Sequence, residues 1–330
     1  MNATGRLHRV GLAVNPTAGG GRGRAAGARV AVALRTAGHD VVDLSGVDAP
    51  DAARHLAAAT GLDALVVVGG DGMVHLGVQA VAGTPVALGV VAVGTGNDFA
   101  AATHLPPSDR DAALRGLTSA LHRASTRPVD AIRVTSTSGE ARWVAGAVSA
   151  GLDAAVNARA NTLRWRGPSR YTLAALAEIA AFRAWEYTLR FTGLTDDGGL
   201  HLTRTGEEFT WTGRAAMVTA ANISRIGGGI RVAPDAVADD GLLDVLVAPV
   251  LTRTAAATIF PAMFTGRHTR RRDVHVLRAR EVTVDGTALP VAHGDGEPLP
   301  GAPLTATAVP GALQLLHPPG PAASNPAGAP

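Results

Sequence analysis

In the first third of the chain, short apolar runs alternate with alanine-rich segments of helical length. The apolar runs, which we predict to be strands, cover residues 10–14, 41–44, 64–68 and 85–93. The segments between them, which we predict to be helices, cover residues 24–37, 49–59 and 74–82. Runs that are apolar at every position are typical of strands buried on both faces, and helix-length connections are typical of parallel sheets. The pattern predicts a doubly wound α/β domain over residues 1–130.

Beyond residue 130 the chain becomes rich in threonine and valine, and apolar and polar positions alternate. The predicted strands there cover residues 131–135, 143–149, 187–192, 209–220, 243–248, 275–280, 281–285 and 304–309. Predicted helices over residues 169–185 and 252–264 interrupt them. A period of two with turn residues between the runs is typical of antiparallel sheets and sandwiches. We therefore expect a β-rich domain over residues 131–312, followed by a Pro-, Ala- and Gly-rich tail, residues 318–330, that is expected to be disordered.

The composition removes several kinds of chemistry. All 30 basic residues among the 330 are arginines, so no mechanism can use a P-loop lysine, a Schiff base or a lysine general base. The absence of cysteine excludes disulfides and cysteine-metal sites. An aromatic content of 4% and the lack of a recognition motif disfavour nucleic acid as a partner.

A glycine-rich loop, residues 15–23, follows the first predicted strand and leads into the first predicted helix. Glycine lets backbone N–H groups approach phosphate oxygens, and a helix N-terminus adds positive potential. The candidate ligands in this loop are Asn15, Pro16, Thr17, Gly19 and Gly21. Residues 21–26 also fit a dinucleotide-binding pattern, with Asp43 at a suitable distance for a ribose contact. A glycine-rich turn without a ligand remains the simpler alternative for this loop taken alone.

Two further loops follow predicted strands at the same ends, where open α/β sheets bind ligands. The second consists of Gly69, Gly70, Asp71 and Gly72. The third consists of Gly94, Thr95, Gly96, Asn97 and Asp98. Asp71 puts a carboxylate where it can hold Mg²⁺ on a polyphosphate, and the third loop offers groups suited to nucleotide or acceptor hydroxyls. Three such loops together favour a nucleotide site over three unrelated turns.

The ordered set of motifs resembles the catalytic family of bacterial diacylglycerol kinases. The three loops are followed by a glycine run at residues 227–229, an acidic turn at residues 239–244 and a Gly-Asp-Gly-Glu sequence at residues 294–297. The resemblance extends from about residue 10 to residue 316. NAD kinases and phosphofructokinases share the Gly-Gly-Asp-Gly loop, but an NAD kinase is not expected to carry the Gly-Asp-Gly-Glu sequence.

The resemblance implies an N-terminal domain that binds ATP, a β-rich domain that completes a lipid site, and an active site in the cleft between them. It identifies Asp295 as the general base and Glu297 as the acid that supports it. Phosphoryl transfer to an alcohol needs a carboxylate that accepts the hydroxyl proton, and Gly296 permits a tight turn between the two acids. By the same resemblance, residues 313–317 return to the first domain.

Family members also carry a structural metal, and the resemblance places it at the Asp240 carboxylate and the carbonyl groups of Val237 and Leu242. Oxygen ligands suit Mg²⁺ or Ca²⁺, although an acidic turn without a metal is the alternative. The chain departs from the family after the second loop, where Met73 replaces a hydroxyl residue and His75 and Leu76 replace an Asn-Glu pair. These departures put the fine nucleotide contacts, or the rate, in doubt.

The sequence thus predicts an ATP- and Mg²⁺-dependent lipid kinase, with diacylglycerol as the default acceptor. The alternatives are a kinase for a sphingoid base or phosphatidylglycerol, and a catalytically weak nucleotide or lipid sensor. We expect a cytoplasmic protein that touches membranes transiently, because no apolar run reaches the roughly 18 residues that cross a bilayer. Two arginine-rich segments, residues 164–170 and 267–272, are candidate membrane contacts. A homodimer is left open.

Overall fold

The computed structural model describes residues 7–162, 184–250 and 253–318, together with Ala174, Ala177 and Glu178. The chain divides into two compact units. The first comprises Met1–Gly94, His104–Val129 and Leu313–Pro330, and the second comprises Thr95–Thr103 and Asp130–Ala312. Residues 95–103 therefore belong to the second unit, although the sequence analysis assigned them to the first domain.

The first unit is built on a parallel sheet. Its strands are β1 (Arg9–Val14), β2 (Asp40–Asp43), β3 (Ala64–Gly69) and β4 (Ala87–Ala92), in the order β2-β1-β3-β4. The end of the last strand of the chain, β15 (Leu304–Leu316), joins β4 in parallel, with Gln314 opposite Ala87 and Leu315 opposite Leu88. All six residues of β3 and of β4 are buried, as expected for central strands covered on both faces.

Helices connect these strands. They are α1 (Ala18–Thr36), α2 (Ala49–Ala58), α3 (Asp71–Val81) and α5 (Arg110–Arg123), while the short α4 (Asp98–Ala102) lies in the second unit. Asp48 begins α2 by accepting a hydrogen bond from Asp51 N at 2.8 Å, and Asp109 begins α5 by accepting from two backbone N–H groups. Such caps satisfy N–H groups that have no partner inside the helix.

The second unit is built on antiparallel strands. They are β5 (Thr126–Ser136, from Asp130 onward), β6 (Ala141–Val144), β7 (Ala147–Gly151), β8 (Trp185–Asp196), β9 (Thr203–Thr205), β10 (Glu208–Ala221), β11 (Leu243–Pro249), β12 (His275–Thr287), β13 (His293–Gly294), β14 (Glu297–Pro298) and the first part of β15. The order β14-β13-β7-β10-β11-β12-β15 forms one path, and β8 pairs with both β10 and β12. Tyr187, Leu189 and Phe191 of β8 alternate inward and are fully buried in its core.

Helices α6 (Leu152–Thr162) and α7 (Arg253–Met263) belong to this unit, and α7 corresponds to the predicted helix at 252–264. The other predicted helix, 169–185, lies mostly outside the described residues, as does the arginine-rich segment 164–170. Its last predicted residue, Trp185, begins β8 instead. In the parts of the chain that are described, no helix is both long and apolar enough to span a membrane.

Two predicted strand boundaries are wrong. The predicted strands 275–280 and 281–285 are one strand, β12, with a register shift against β8 between Arg278 and Ala279. The predicted strand 143–149 is two strands, because the chain leaves the ladder at Ala145 and Gly146 between β6 and β7. The backbone N–H groups at this break bind a side chain from a distant part of the chain, described below.

Candidate active site

In the first unit, three strands end side by side and bring their following loops together. Asn15 N donates to Val68 O at 2.9 Å, and Val93 N donates to Gly69 O at 2.8 Å. These bonds join the loops after β1, β3 and β4 at the carboxyl edge of the sheet. This edge is the place where open α/β sheets bind ligands.

The first loop reaches into the bounds of α1, where residues 19–21 leave the helical conformation and form a left-handed turn that only glycine adopts readily. Gly19, Gly20 and Gly21 have φ values of 58°, 72° and 93°, a region that is unfavourable for residues with a Cβ atom. A Cβ atom at Gly19 would lie 2.1 Å from Val93 O, whereas Gly20 and Gly21 have no atom within 4 Å of that position. The turn is therefore packed on its inner side at Gly19 and borders open space at the next two glycines.

Side chains and backbone of the same loop hold this turn in place. Asn15 Oδ1 accepts from Thr17 N at 3.0 Å and from Thr17 Oγ1 at 2.9 Å. The Pro16 carbonyl accepts from Arg24 N at 3.2 Å. Arg22 Nε donates to Gly19 O at 2.6 Å while the Arg22 side chain stays exposed. The predicted ligands Asn15, Pro16 and Thr17 thus shape the loop through their bonds within it.

The second loop begins helix α3, with Gly70 as its N-cap and Asp71 as its first residue. Met73 is 7% exposed, and a Cβ atom at Gly69 would lie 2.3 Å from Met73 Cγ. Met73 therefore occupies the space beneath Gly69 and helps to pack the loop. Gly72 is exposed and has no atom within 4 Å of a Cβ position, so it also borders open space.

Most of the third loop lies in the second unit. Asn97 has a φ of 58° and precedes α4, and the buried Asp98 accepts from Gly228 N through Oδ2 at 2.6 Å. A Cβ atom at Gly228 would lie 3.9 Å from Gly96 Cα. The loop and the glycine run 227–229 are therefore in contact. The predicted nucleotide-binding set is divided between the two units after Gly94.

Asp295 lies in the turn between β13 and β14, in a left-handed conformation with φ of 53°. Its Oδ2 accepts from Ala145 N and its Oδ1 accepts from Gly146 N, both at 2.8 Å. These are the N–H groups at the break between β6 and β7. Because each oxygen accepts one of these bonds, the two together fix the orientation of the carboxylate.

Glu297, the predicted supporting acid, is exposed on β14, and its backbone pairs with Gly294 of β13. Its charge raises the pKa of His293, although burial of His293 outweighs it and lowers that pKa overall. A supporting role of Glu297 toward Asp295 stays a prediction.

Asn222, which the sequence analysis missed, holds the backbone segment that holds Asp295. Its Nδ2 donates to Ala145 O at 3.0 Å and to Asp130 O at 2.9 Å, and its backbone N donates to Gly146 O at 2.8 Å. The side chain is 1% exposed. Asn222 therefore fixes the position of the two residues whose N–H groups bind the Asp295 carboxylate.

Two protein-family models match this chain, one in its N-terminal part and one in its C-terminal part. The diacylglycerol kinase catalytic domain matches residues 9–134. The YegS C-terminal NAD kinase beta sandwich-like domain matches residues 146–317, more than half of the chain. The chain belongs to the diacylglycerol kinase family of lipid kinases. The resemblance drawn from the motifs is confirmed.

Relatives of this lipid kinase extend over most of its length. A protein of Mycobacterium tuberculosis strain H37Rv named diacylglycerol kinase is 34% identical over 319 residues, which cover 95% of this chain and 97% of that protein. A "Probable lipid kinase YegS-like" protein of Xanthomonas oryzae pv. oryzae strain MAFF 311018 is 31% identical over 240 residues, covering 70% of this chain and 71% of that one.

A solved structure shows the same fold. The crystal structure of a diacylglycerol kinase from Bacillus anthracis strain Sterne superposes with a TM-score of 0.67 at 18% identity, covering 94% of this chain and 97% of that chain. The predicted fold class, an N-terminal α/β domain followed by a β-rich domain of the NAD kinase and diacylglycerol kinase type, is confirmed.

The acidic turn of this lipid kinase is held by an internal cation. Asp240 accepts from Leu242 N through Oδ1 at 3.0 Å and binds the Arg278 guanidinium through Oδ2. Arg278 Nε also lies 3.7 Å from Asp244 Oδ1. Asp244 of β11 and Arg278 of β12 are directly opposite each other in the sheet. Among the described residues, no group of three or more His, Cys, Asp or Glu side chains could hold a metal ion. Arg278 thus occupies one oxygen of Asp240, and a structural metal at Val237, Asp240 and Leu242 stays a prediction.

Two acids of the second unit escaped the sequence analysis. Asp130 is 2% exposed and accepts from Gly241 N at 2.7 Å and from Gly311 N at 2.8 Å; burial raises the pKa of Asp130. Asp153 lies in the first turn of α6 and accepts a hydrogen bond from the Thr219 hydroxyl. Desolvation raises the pKa of Asp153 to about 6, although hydrogen bonds act in the opposite direction. Neither acid lies in a motif, so the sequence offered no local sign of these contacts.

Proposed function

We propose that this lipid kinase transfers the γ-phosphate of ATP to the hydroxyl group of diacylglycerol, which produces phosphatidic acid and ADP. The observation that carries the proposal is the Asp295 carboxylate, oriented by two backbone N–H groups. A base held in this way is what phosphoryl transfer to an alcohol requires. The name of the M. tuberculosis relative supports diacylglycerol as the acceptor.

The transfer step needs one proton acceptor. The lipid hydroxyl oxygen attacks the γ-phosphorus, a new oxygen–phosphorus bond forms, and the bond to the ADP oxygen breaks. Asp295 takes the hydroxyl proton, and ADP leaves with the electron pair of the broken bond. Because the Ala145 and Gly146 N–H groups are uncharged, they orient the carboxylate without neutralising it.

The glycine loops of the first unit supply the proposed donor site. Gly20, Gly21 and Gly72 border open space, so phosphate oxygens can approach their backbone closely. The start of α3 adds the positive end of a helix dipole. Arg22 is exposed beside the first loop and takes the part that a lysine has in P-loop proteins.

Asp71 is the residue that we propose to hold a catalytic Mg²⁺. Mg²⁺ commonly binds through one or two carboxylates together with substrate phosphates, and Asp71 lies at the first position of α3 beside the open loop glycines. Its donor chemistry therefore fits the ion. When bound, Mg²⁺ neutralises charge on the transferred phosphate.

The direct test follows labelled phosphate from γ-labelled ATP into lipids. Purified protein is incubated with Mg²⁺ and mixed micelles that contain diacylglycerol, phosphatidylglycerol or a sphingoid base, with and without a chelator. We expect label in phosphatidic acid, loss of label on chelation, and a roughly 1,000-fold lower kcat for Asp295→Asn.

Asp197→Asn is the matched control, because Asp197 also precedes a glycine in a turn of the second unit and is exposed. It should label lipid like the wild type. Label in another lipid would contradict diacylglycerol as the acceptor, and equal rates for wild type and Asp295→Asn would contradict the assigned base.

A further inference from the structure

The end of α7 and the segment that follows it contact residues 231–234 of the same unit at three points. Arg231 N donates to Met263 O at 2.9 Å. Gly266 has a φ of 74°, and a Cβ atom there would lie 2.7 Å from Pro234 Cγ. His268 is 1% exposed, and its Nε2 donates to Val232 O at 3.1 Å. This segment therefore has a fixed inner side.

Exposed side chains lie between these anchors and just after the last one. Phe264 is 44% exposed, and its ring meets the Phe260 ring edge to face at 5.6 Å between centroids. Arg267 and Arg270, in a 3-10 turn, and Arg272 just after it are exposed. We call Phe264 with these three arginines the arginine–phenylalanine face.

The charge of this face is largely uncompensated. Arg271, the fourth arginine of the segment, forms two hydrogen bonds of 2.9 Å with the Asp273 carboxylate. Within the described parts of the chain, no carboxylate lies within 4.0 Å of the guanidinium groups of Arg267, Arg270 and Arg272. Arg231 is also exposed, with its Cδ 3.7 Å from the Cβ position of Gly266, so it adds positive charge beside the face.

We propose that the arginine–phenylalanine face docks this lipid kinase on an anionic phospholipid surface. Arginines near such a surface are attracted to its headgroups, and an aromatic ring inserts at the boundary of headgroups and acyl chains. The pinned segment presents both groups without a further ordering step. The proposal rests on the proposed lipid substrate, which lies in a membrane.

Vesicle flotation tests the proposal without any turnover. Wild-type protein is mixed with vesicles of phosphatidylcholine alone or of equal parts phosphatidylcholine and phosphatidylglycerol. We expect binding to the anionic vesicles to exceed binding to the neutral ones and to fall as salt is raised. The triple variant Arg267→Gln, Arg270→Gln, Arg272→Gln should bind anionic vesicles about 100-fold more weakly, and Phe264→Ser about tenfold more weakly.

The matched controls remove arginine and apolar side chains from the surface of the first unit. Exposed arginines of the first unit are changed in the triple variant Arg35→Gln, Arg115→Gln, Arg123→Gln, which has the same net charge as the test variant. Val32→Ser removes an apolar side chain that is 63% exposed. Both controls should bind like the wild type. Equal losses in test and control triple variants would overturn the proposal, because net charge alone would then explain binding.

Two further results would also overturn it: equal wild-type binding to neutral and anionic vesicles, or retention on heparin without any vesicle binding. The second result would indicate a site for other polyanions. Activity on a short-chain lipid dispersed without vesicles separates this proposal from the proposed function. If that lipid is not phosphorylated while vesicle binding follows the expected pattern, the proposed substrate is wrong and the docking face stands.

Discussion

Asp295 and Asp240 occupy similar turns in sequence and different surroundings in the structure. Each precedes a glycine with positive φ, 88° at Gly296 and 75° at Gly241. Both oxygens of each carboxylate accept a hydrogen bond. For Asp295 the donors are two backbone N–H groups, whereas for Asp240 they are one backbone N–H group and the Arg278 guanidinium.

The donors decide what each carboxylate can do. The N–H groups that orient Asp295 are neutral. A guanidinium is always charged and binds carboxylates strongly, so Arg278 balances Asp240 and competes with any other cation. The same Asp-Gly sequence thus carries the proposed base at one position and half of an ion pair at the other.

Among variants that leave both aspartates in place, we expect the largest effect beside Asp295. A Cβ atom at Gly146 would lie 2.9 Å from Asp295 Oδ1 and 3.1 Å from Ile223 Cδ1. Gly146→Ala should therefore displace the carboxylate, lower kcat by about 100-fold and leave the KM for ATP unchanged. Steady-state kinetics measures both values. Gly301→Ala is the control, because nothing lies within 4 Å of its Cβ position; a comparable loss of kcat in that variant would contradict the explanation.

The next effect in size is a loss of stability when the ion pair between Arg278 and Asp240 is removed. Arg278→Met removes the cation from Asp240 and from Asp244, whose side chain is only 4% exposed, and should lower the free energy of unfolding by about 2 kcal/mol. Urea denaturation measures this change. Arg280→Met, exposed on the same strand, should change it little.

The same variants decide between an internal cation and a metal at Asp240. We expect a chelator to leave the melting temperature of the wild type unchanged. A lower melting temperature after chelation, restored by Mg²⁺, would show that the turn binds a divalent cation and that Arg278 does not replace it.

The last prediction concerns the pH dependence of stability that arises from Asp244, which lies beside Arg278. Burial raises the pKa of Asp244 from 3.8 to about 6, although Arg278 lowers it. The folded state therefore binds more protons than the unfolded state between these two values, and the contribution of Asp244 to stability falls as pH rises through that window. Asp244→Asn lacks this titration, so its free energy of unfolding should gain about 2 kcal/mol relative to the wild type between the two ends of the window. Urea denaturation across pH checks this, with Asp197→Asn, which should show no such gain, as control.

Much of the fold could be predicted because many of its strands have a local sequence pattern. The buried runs of β3 and β4 and the alternation of β8 are visible without any long-range information. Helix α5 was missed even though Ala113, Leu117, Ala120 and Leu121 follow helical spacing and are buried. The helical spacing of these apolar residues is therefore a local signal for α5 in the sequence.

The partners of the site residues could not be predicted. Asp295 binds N–H groups 149 and 150 positions earlier in the chain, and nothing in a local pattern pairs residues so distant. The same holds for Arg278, which lies 38 positions from Asp240. The motifs contain the Asp295 and Asp240 side chains. Their partners, two backbone N–H groups and a guanidinium, are brought to them only by the tertiary structure.

The bridge made by Asn222 has a consequence for motion. Because its side chain joins Ala145 to Asp130 and its backbone joins Gly146, the break between β6 and β7 does not move as a free loop. Its two N–H groups bind the Asp295 carboxylate, and we expect them to exchange with deuterium slowly, as backbone groups of a paired strand do. On this expectation, the orientation of Asp295 is lost only when the surrounding β-structure opens, and not through the motion of a free loop.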